Sequence, residues 1–129
     1  MEIVWYGHSC FRITERGRAT IVTDPFGENL GYEVPKLKAD VVTLSHDAPG
    51  HNNVDAVRGC EHVIAGPGEY EIGGVFIIGV PTFNKEAENP RLNVIYVLDF
   101  EGLSVAHLGD LDHVPGQSMI ESLGSIDVA

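Results

Sequence analysis

Short segments with the composition of β-strands recur along almost the whole chain, and they constrain its fold more than any other feature. Each segment is rich in Val, Ile, Phe or Tyr and is bounded by Gly, Pro, Asn or Asp, as strands between turns are. The predicted strands are residues 2–6, 9–14, 19–24, 39–45, 61–65, 68–72, 74–80, 94–100 and 103–109. The sequence therefore predicts a fold dominated by β-sheet.

Turn and helix signals divide this pattern further. Gly73-Gly74 and the "EG" at 101–102 each predict a hairpin turn. The nearly continuous apolar run 39–45 is typical of a strand that is covered on both faces. A short helix is predicted from Asn52 or Asn53 to Gly59, with Val54 and Val57 facing inward.

The remaining segments are a loop, a second helix and an unfinished strand. Residues 84–93 read as a polar loop, and 116–124 could form a last short helix. A strand-like segment starts at Ile126 with no further element behind it. Three explanations stay open: the chain is the front part of a longer fold, another subunit completes the sheet, or the terminus frays.

Composition limits the possible partners and compartments. The 129 residues are enough for one domain with one core. Eight basic against nineteen acidic residues give a net charge of −11, which argues against nucleic acids and anionic membranes because both would be repelled. No apolar stretch approaches the ~20 residues of a membrane helix, and residues 1–9 lack a signal peptide. We expect a cytoplasmic protein in which Cys10 and Cys60 are free thiols.

Polar residues that can bind a metal recur where apolar strands end. Asp24, His46, Asn84 and Asp110 each follow such a strand, and loops at one edge of a sheet can converge on a single cleft. Imidazole and carboxylate are ligands that zinc accepts. Asp110 could either bridge two metals or complete a one-metal site with His46, and Asp24 is suited to orient a ligand histidine by accepting its second N–H.

Other chemical schemes find little support. His8, His62, His107 and His113 are not predicted as ligands, and His107 is expected to be packed within its strand. Ser45 and His46 are adjacent on a strand and should face opposite ways, so they do not predict a nucleophilic dyad. The chain has no G-x-S-x-G, Walker A or dinucleotide-binding motif.

Five segments together resemble the metallo-β-lactamase superfamily, in the branch of small beta-lactamase superfamily domain hydrolases related to the ascorbate-phosphate lactonase. They are "WYGHSCFRI", "TIVTDPF", "VVTLSH…HNNVDAV", "GPGEYEIGGVFIIGVPTF" and "GLSVAHLGDLDHV". The resemblance implies an α/β (α+β) fold, an αββα sandwich, of which residues 1–129 are a single partial domain that is mostly the N-terminal half. It also implies a hydrolase in which one or two metal ions, usually zinc, activate a water.

The resemblance assigns metal ligands to particular positions. The family's T-H-x-H-x-D-H motif falls on residues 45–51, with its first histidine at His46 and its last at His51, while Ala48 and Gly50 replace the middle His and the Asp. The bridging aspartate corresponds to Asp110. The expected metal ligands are therefore His46, His51 and Asp110, with Asp110 also positioning the water.

Two further positions of the family pattern match only in part. The next ligand histidine falls at or near Asn84, whose amide oxygen is a weak replacement, and the family's orienting aspartate is Asp24. Asp47 is expected either as an outer carboxylate of the site or as an exposed loop residue. The final histidine of the family would lie beyond Ala129.

Three functional hypotheses remain. The first is a metal-dependent hydrolase of a small molecule, with an incomplete site that binds zinc, manganese or iron weakly, and with a homo-oligomer that completes the sheet. The second is a non-catalytic member used for binding or assembly, with little or no bound metal. The third is the front fragment of a longer hydrolase.

Overall fold

The computed structural model describes residues 1–7, 9–25, 37–45, 57–83, 92–109, 111, 120–121 and 123–129. Within these ranges the chain forms β-strands joined by short turns. In order they are β1 (Glu2–Gly7), β2 (Cys10–Thr14), β3 (Ile21–Thr23), β4 (Leu37–Lys38), β5 (Val41–Thr43), β6 (Val57–Arg58), β7 (His62–Ile64), β8 (Gly68–Ile72), β9 (Val75–Phe83), β10 (Leu92–Asp99) and β11 (Ser104–His107).

The strands form two main sheets and one small one. The first sheet has five strands in the order β1-β2-β3-β5-β7, in which β1, β2 and β3 are antiparallel neighbours and β3, β5 and β7 run parallel. The second has four antiparallel strands in the order β11-β10-β9-β8. Strands β4 and β6 pair in parallel beside them.

The core lies between the two main sheets and on the outer face of the first. Ile21 and Val41 join Val94 and Leu98 in one buried cluster that contains residues of both sheets. Their neighbours in sequence point the other way, because successive side chains of a strand alternate. A second cluster therefore lies on the outer face, formed by Cys10, Val22, Ala39, Val42 and Val57. The prediction that segment 39–45 is covered on both faces is confirmed.

A buried tyrosine ties the sheets together. The hydroxyl of Tyr96 on β10 contacts the carbonyl oxygens of two residues of the first sheet. Leu44, just after β5, is 2.9 Å away, and Ile64, the last residue of β7, is 3.2 Å away. The phenolic O–H thus links β10 to the ends of two parallel strands, where the Ile64 carbonyl also accepts the Leu44 N–H at 2.8 Å.

Both predicted hairpin turns are confirmed. Gly73 and Gly74 join β8 to β9 with φ of 55° and 79°, and Glu101 and Gly102 join β10 to β11 with φ of 62° and 95°. Positive φ at both central residues is the geometry whose twist matches that of the flanking antiparallel strands.

Two sequence predictions differ from the structure. The helix predicted to end at Gly59 is wrong at its end, because Val57 and Arg58 form β6 against β4; residues 52–56 lie outside the described residues. A β-branched residue buried in the outer cluster favours a strand here. The loop predicted for 84–93 ends earlier than expected, since Leu92 and Asn93 already belong to β10.

The C-terminal segment is described in part. Ile120, Glu121 and Leu123 of the helix predicted for 116–124 are helical, while residues 116–119 and 122 lie outside the described residues. The strand expected from Ile126 is reduced to one parallel bridge between Val128 and Val105 of β11. Cys10 and Cys60 are free thiols, as expected. Among the residues with described structure, no helix is long and apolar enough to cross a membrane.

Candidate functional site

Of the predicted site residues, Asp24 is the one that the structure describes. His46, Asp47, His51, Asn84 and Asp110 lie outside the described residues. Their roles stay predictions. The structure does describe Ser45, the residue before His46, and Gly109, the residue before Asp110.

Asp24 is completely buried and holds the residue before His46. Its Oδ1 accepts the backbone N–H of Ser45 at 2.8 Å, and its Oδ2 accepts the Ser45 hydroxyl at 2.6 Å. Its own N–H donates to the carbonyl of Thr43 at 2.9 Å. Two donors from one residue suit a carboxylate, which is an acceptor only. Asp24 thus fixes the chain where β5 leads into His46, whereas its predicted hydrogen bond to a ligand histidine stays a prediction.

Gly109, the residue before Asp110, lies directly against Ser45. A Cβ at this position would stand 2.4 Å from the Ser45 Cβ and 2.6 Å from the Asn93 Oδ1. Gly109 also has φ of +64°, in the left-handed region that favours glycine. The chain segments that lead into His46 and Asp110 therefore touch, although 64 residues separate the two positions in sequence.

Asn93 joins these segments to the end of β9. Its Nδ2 donates to the Leu108 carbonyl at 3.0 Å and to the Thr82 Oγ1 at 3.2 Å. The next residue, Val94, donates its N–H to the Ser45 carbonyl at 2.8 Å. Through these contacts the ends of β5, β9 and β11 form one edge, which we call the rim, defined by Asp24, Ser45, Thr82, Asn93 and Gly109.

Ser9 secures the rim from the first sheet. Its carbonyl accepts from the Thr23 hydroxyl at 2.8 Å and lies 2.9 Å from the His107 Nε2, while its own hydroxyl donates to the Gly109 carbonyl at 3.3 Å. His107 is buried and stands edge-on to Phe11, with 5.8 Å between ring centroids. The expectation that His107 is a packed residue is confirmed.

Sequence reasoning missed Ser9, Asn93 and Gly109 as structural parts of this edge. One signal was available for Asn93, because a single amide flanks an otherwise apolar strand and such a group needs partners when buried. Gly109 carried a weaker signal, as a glycine directly after a strand and before a candidate ligand. Ser9 has no signal in the sequence, because its role depends on a contact with a residue 100 positions away.

The electrostatics keep the neighbouring thiol neutral. Burial, and then the Asp24 carboxylate, raise the pKa of Cys10 from 9.0 to about 12. Burial also raises the pKa of Tyr96, with smaller contributions from Tyr70 and Asp24. Since a thiolate is the form that attacks substrates, the raised pKa disfavours Cys10 as a nucleophile at neutral pH.

The described residues do not include the predicted metal ligands. Within them, no group of three or more His, Cys, Asp or Glu side chains is placed to hold a metal. The rim instead orders the chain at both positions from which His46 and Asp110 extend. Rigid support of this kind is what a ligand needs in order to hold its orientation.

Comparison with solved structures shows the same fold. A proposed Zn-dependent hydrolase of the metallo-β-lactamase superfamily from Thermotoga maritima is 39% identical, with a TM-score of 0.74, and the match covers 98% of this chain and 58% of that one. The chain thus spans somewhat more than half the length of that relative.

Two more distant structures support the fold alone. A proposed metal-dependent hydrolase from Parabacteroides distasonis is 20% identical, with a TM-score of 0.68 and coverage of 88% of this chain and 62% of that one. CmlA, a diiron β-hydroxylase from Streptomyces venezuelae, is 15% identical, with a TM-score of 0.69 and coverage of 98% and 33%. No curated protein matches the chain.

The family comparison covers nearly every residue. A model described as the beta-lactamase superfamily domain matches residues 2–129, a range that includes all five segments of the sequence resemblance. With the two facing sheets and the shared fold of the solved structures, the α+β sandwich expected from the sequence is confirmed. The chain therefore belongs to the beta-lactamase superfamily domain family, with a hydrolase-like metallo-β-lactamase fold.

Proposed function

We propose that this chain carries the metal site of a hydrolase, in which His46, His51 and Asp110 hold one metal ion. The observation that supports this most is the contact between Ser45 and Gly109. It brings the residue before His46 and the residue before Asp110 together at one edge of the sandwich. Without that contact, a shared ion for these two side chains would have no structural support.

The donor set suits zinc, with manganese or iron as alternatives. A catalytic zinc is held by three protein ligands, and water takes the fourth position. Two imidazoles and one carboxylate supply that number of ligands. The Thermotoga maritima relative is a proposed Zn-dependent hydrolase and CmlA is a diiron enzyme, and these descriptions support zinc or iron as the ion of the proposed site. With Ala48 and Gly50 in the motif, a second ion would lack ligands, and we expect one ion bound weakly.

Each residue of the chain has a distinct task in this proposal. A bound metal supplies a water of lowered pKa for attack on an ester, lactone or phosphoester of a small molecule. Asp110 positions that water, and Asp24 keeps Ser45, and with it the start of the ligand loop, in place. Asp47 serves as a carboxylate outside the ligand set. Asn84 offers its amide oxygen as a weak metal ligand at the edge of the site.

Metal uptake tests the proposal most directly. The protein should take up about one equivalent of Zn²⁺ at micromolar concentrations, measured by titration and by metal analysis after gel filtration. Asp110→Ala should abolish this uptake, because it removes the only carboxylate of the set. His62→Ala is the matched control, since His62 is exposed and pairs with Val41 at the opposite end of the parallel strands from Ser45.

Two outcomes would contradict the proposal. Uptake by Asp110→Ala equal to that of the wild type would show that the ion is held elsewhere. A folded wild-type protein without measurable affinity at micromolar zinc would favour the non-catalytic alternative, in which the fold serves binding or assembly. Hydrolysis of nitrophenyl esters and bis-nitrophenyl phosphate, with and without added metal, then tests the catalytic part.

A further inference from the structure

Asn93 begins the buried stretch of β10, residues 93–98, in which the other side chains are aliphatic or aromatic. A buried amide costs free energy unless its N–H groups find acceptors. The side-chain amide of Asn93 has two N–H donors, and its acceptors are the Leu108 carbonyl at 3.0 Å and the Thr82 Oγ1 at 3.2 Å. One side chain therefore bonds to the ends of two different strands, β11 and β9.

The bond to Leu108 holds a segment that has already left the sheet. Among the residues that the structure describes, the pairing of β10 with β11 ends at Tyr96 and His107. Leu108 follows this last pair, and Asn93 lies three positions beyond Tyr96 in the direction of the rim. The Asn93 amide thus reaches a carbonyl outside the β10–β11 pairing, two residues before Asp110.

The bond to Thr82 differs, because backbone pairing already holds Thr82. Asn93 and Thr82 lie opposite each other in β10 and β9, and the pairing continues for one more pair, Leu92 and Phe83. The side-chain bond on this side adds to an intact ladder. Loss of the Asn93 amide should therefore loosen the chain at Leu108 more than at Thr82.

The segment before His46 is also held by β10, but through the backbone. Val94 donates its N–H to the Ser45 carbonyl at 2.8 Å, and this bond does not depend on the side chain at position 93. The Asn93 Oδ1, in contrast, lies 2.6 Å from the point that a Cβ of Gly109 would occupy. Without the Asn93 amide, the Gly109 carbonyl would keep the bond from the Ser9 hydroxyl, which at 3.3 Å is long.

We propose that Asn93 is a positioning residue of the candidate metal site, whose amide fixes the end of β11 and thereby the point from which Asp110 extends. This role rests on the proposed function, in which Asp110 is a metal ligand. Ligands that the surrounding chain holds in place bind a metal more tightly than ligands that it leaves free to move. Asn93 should therefore affect the metal affinity of the folded protein as well as its stability.

A purely structural role for the amide predicts a different result. Removing a buried amide that only satisfies its neighbours would lower the free energy of unfolding. It would leave the zinc affinity of the folded protein unchanged. Affinity and stability must therefore be measured on the same variants.

Zinc titration of three folded variants separates the two roles. Asn93→Leu removes both donors at similar side-chain volume and should raise the Kd for Zn²⁺ by about tenfold or more, as loss of a group that orients metal ligands typically does. Thr82→Val removes the bond on the β9 side alone and should raise the Kd far less. Ile77→Val is the stability control: Ile77 is a buried core residue of β9, five positions from Thr82, so its substitution should lower stability and leave the Kd unchanged.

Cobalt(II) gives a second readout, because its visible absorption depends on the arrangement of its ligands. The Co²⁺ spectrum of Asn93→Leu should differ from that of the wild type in band position and intensity. Thr82→Val and Ile77→Val should both give the wild-type spectrum. If Asn93→Leu does not fold, Asn93→Ala removes the same donors without requiring additional space, and the same results are expected of it.

The outcomes distinguish this role from the proposed function itself. A wild type that binds zinc, together with an Asn93→Leu variant of equal affinity and spectrum, would overturn the positioning role and leave the proposed function intact. Equal losses of affinity in Asn93→Leu and Ile77→Val would also overturn it, because affinity would then follow stability. A wild type that takes up no zinc would overturn the proposed function, and the role of Asn93 with it.

Discussion

Asp24 combines a buried carboxylate with an unusual backbone conformation, and both features depend on Ser45. Removing a carboxylate from water is costly unless hydrogen bonds replace its hydration. Ser45 supplies two such bonds, and the φ of +39° at Asp24 places the side chain to receive them. Asp is among the few residues other than glycine that adopt this region readily.

Asp24→Ala should therefore destabilise the fold by about 3 kcal/mol, because it leaves two buried donors without their acceptor and puts alanine in the left-handed region. Urea unfolding measures the change. Asp40→Ala is the control, since Asp40 also accepts a backbone N–H, that of Thr20 at 2.9 Å, but is exposed; its cost should be about 0.5–1 kcal/mol. Equal losses in the two variants would contradict the structural role of Asp24.

The two thiols should differ in reactivity. At pH 8, a disulfide reagent should modify the half-buried Cys60 of the folded protein, while Cys10 should react only on unfolding because burial and Asp24 hold its pKa at about 12. Cys60→Ser should remove the fast phase entirely. A Cys60→Ser protein that still reacts rapidly when folded would show that Cys10 is accessible.

The raised pKa of Cys10 also determines how the free energy of unfolding should change with pH. The folded state holds the thiol proton more tightly than the unfolded state, so this contribution is fully present below pH 9 and is lost as pH rises toward 12. Between these limits the loss approaches about 1.4 kcal/mol per pH unit. Cys10→Ala should show a shallower decline in urea-unfolding free energy between pH 8 and pH 10, and an equal slope would contradict the assignment.

At the scale of elements, the ends of β5 and β11 meet at Gly109. Gly109→Ala should cost more than about 3 kcal/mol, because its Cβ would collide with Ser45 and Asn93 and the residue would be strained at positive φ. Gly102→Ala separates these effects: Gly102 has φ of +95° with nothing within 4 Å, so its cost should be strain alone, about 1 kcal/mol. Thermal unfolding of both variants gives the comparison.

A second readout connects the same pair to the proposed metal site. Under conditions where both variants are folded, Gly109→Ala should bind zinc more weakly than Gly102→Ala, since it displaces the residue before Asp110. Equal zinc affinities would mean that the contact with Ser45 does not determine the placement of Asp110.

Strands and hairpins were predictable from sequence where their signals are local. Gly73-Gly74, the alternation of apolar and polar residues in β8 and the apolar run of β9 depend only on neighbours in the chain. β6 was misread because Val57 becomes a strand through a partner, Leu37, that lies 20 positions away. The same distinction applies to the site: polar residues at strand ends were visible, whereas the contact that brings Ser45 to Gly109 depends on how the two sheets pack.

At the scale of the whole molecule, the charge of −11 acts on the fold independently of any single contact. Excess like charge destabilises a compact state through self-repulsion. Salt screens this repulsion, since the Debye length falls from about 30 Å at 0.01 M to about 8 Å at 0.15 M ionic strength. A divalent ion bound at His46, His51 and Asp110 would stabilise the fold in addition to this general screening.

These two effects can be separated by calorimetry at matched ionic strength. Sodium chloride should raise the Tm of the wild type and of Asp110→Ala alike, whereas Zn²⁺ should add a further rise only in the wild type. At a free concentration of about 100 times Kd the added stability is about 2.7 kcal/mol, which corresponds to several degrees for a chain of this size. A Tm that falls with sodium chloride would show that self-repulsion is not the controlling term, and an equal zinc response in both proteins would place the ion outside the proposed ligand set.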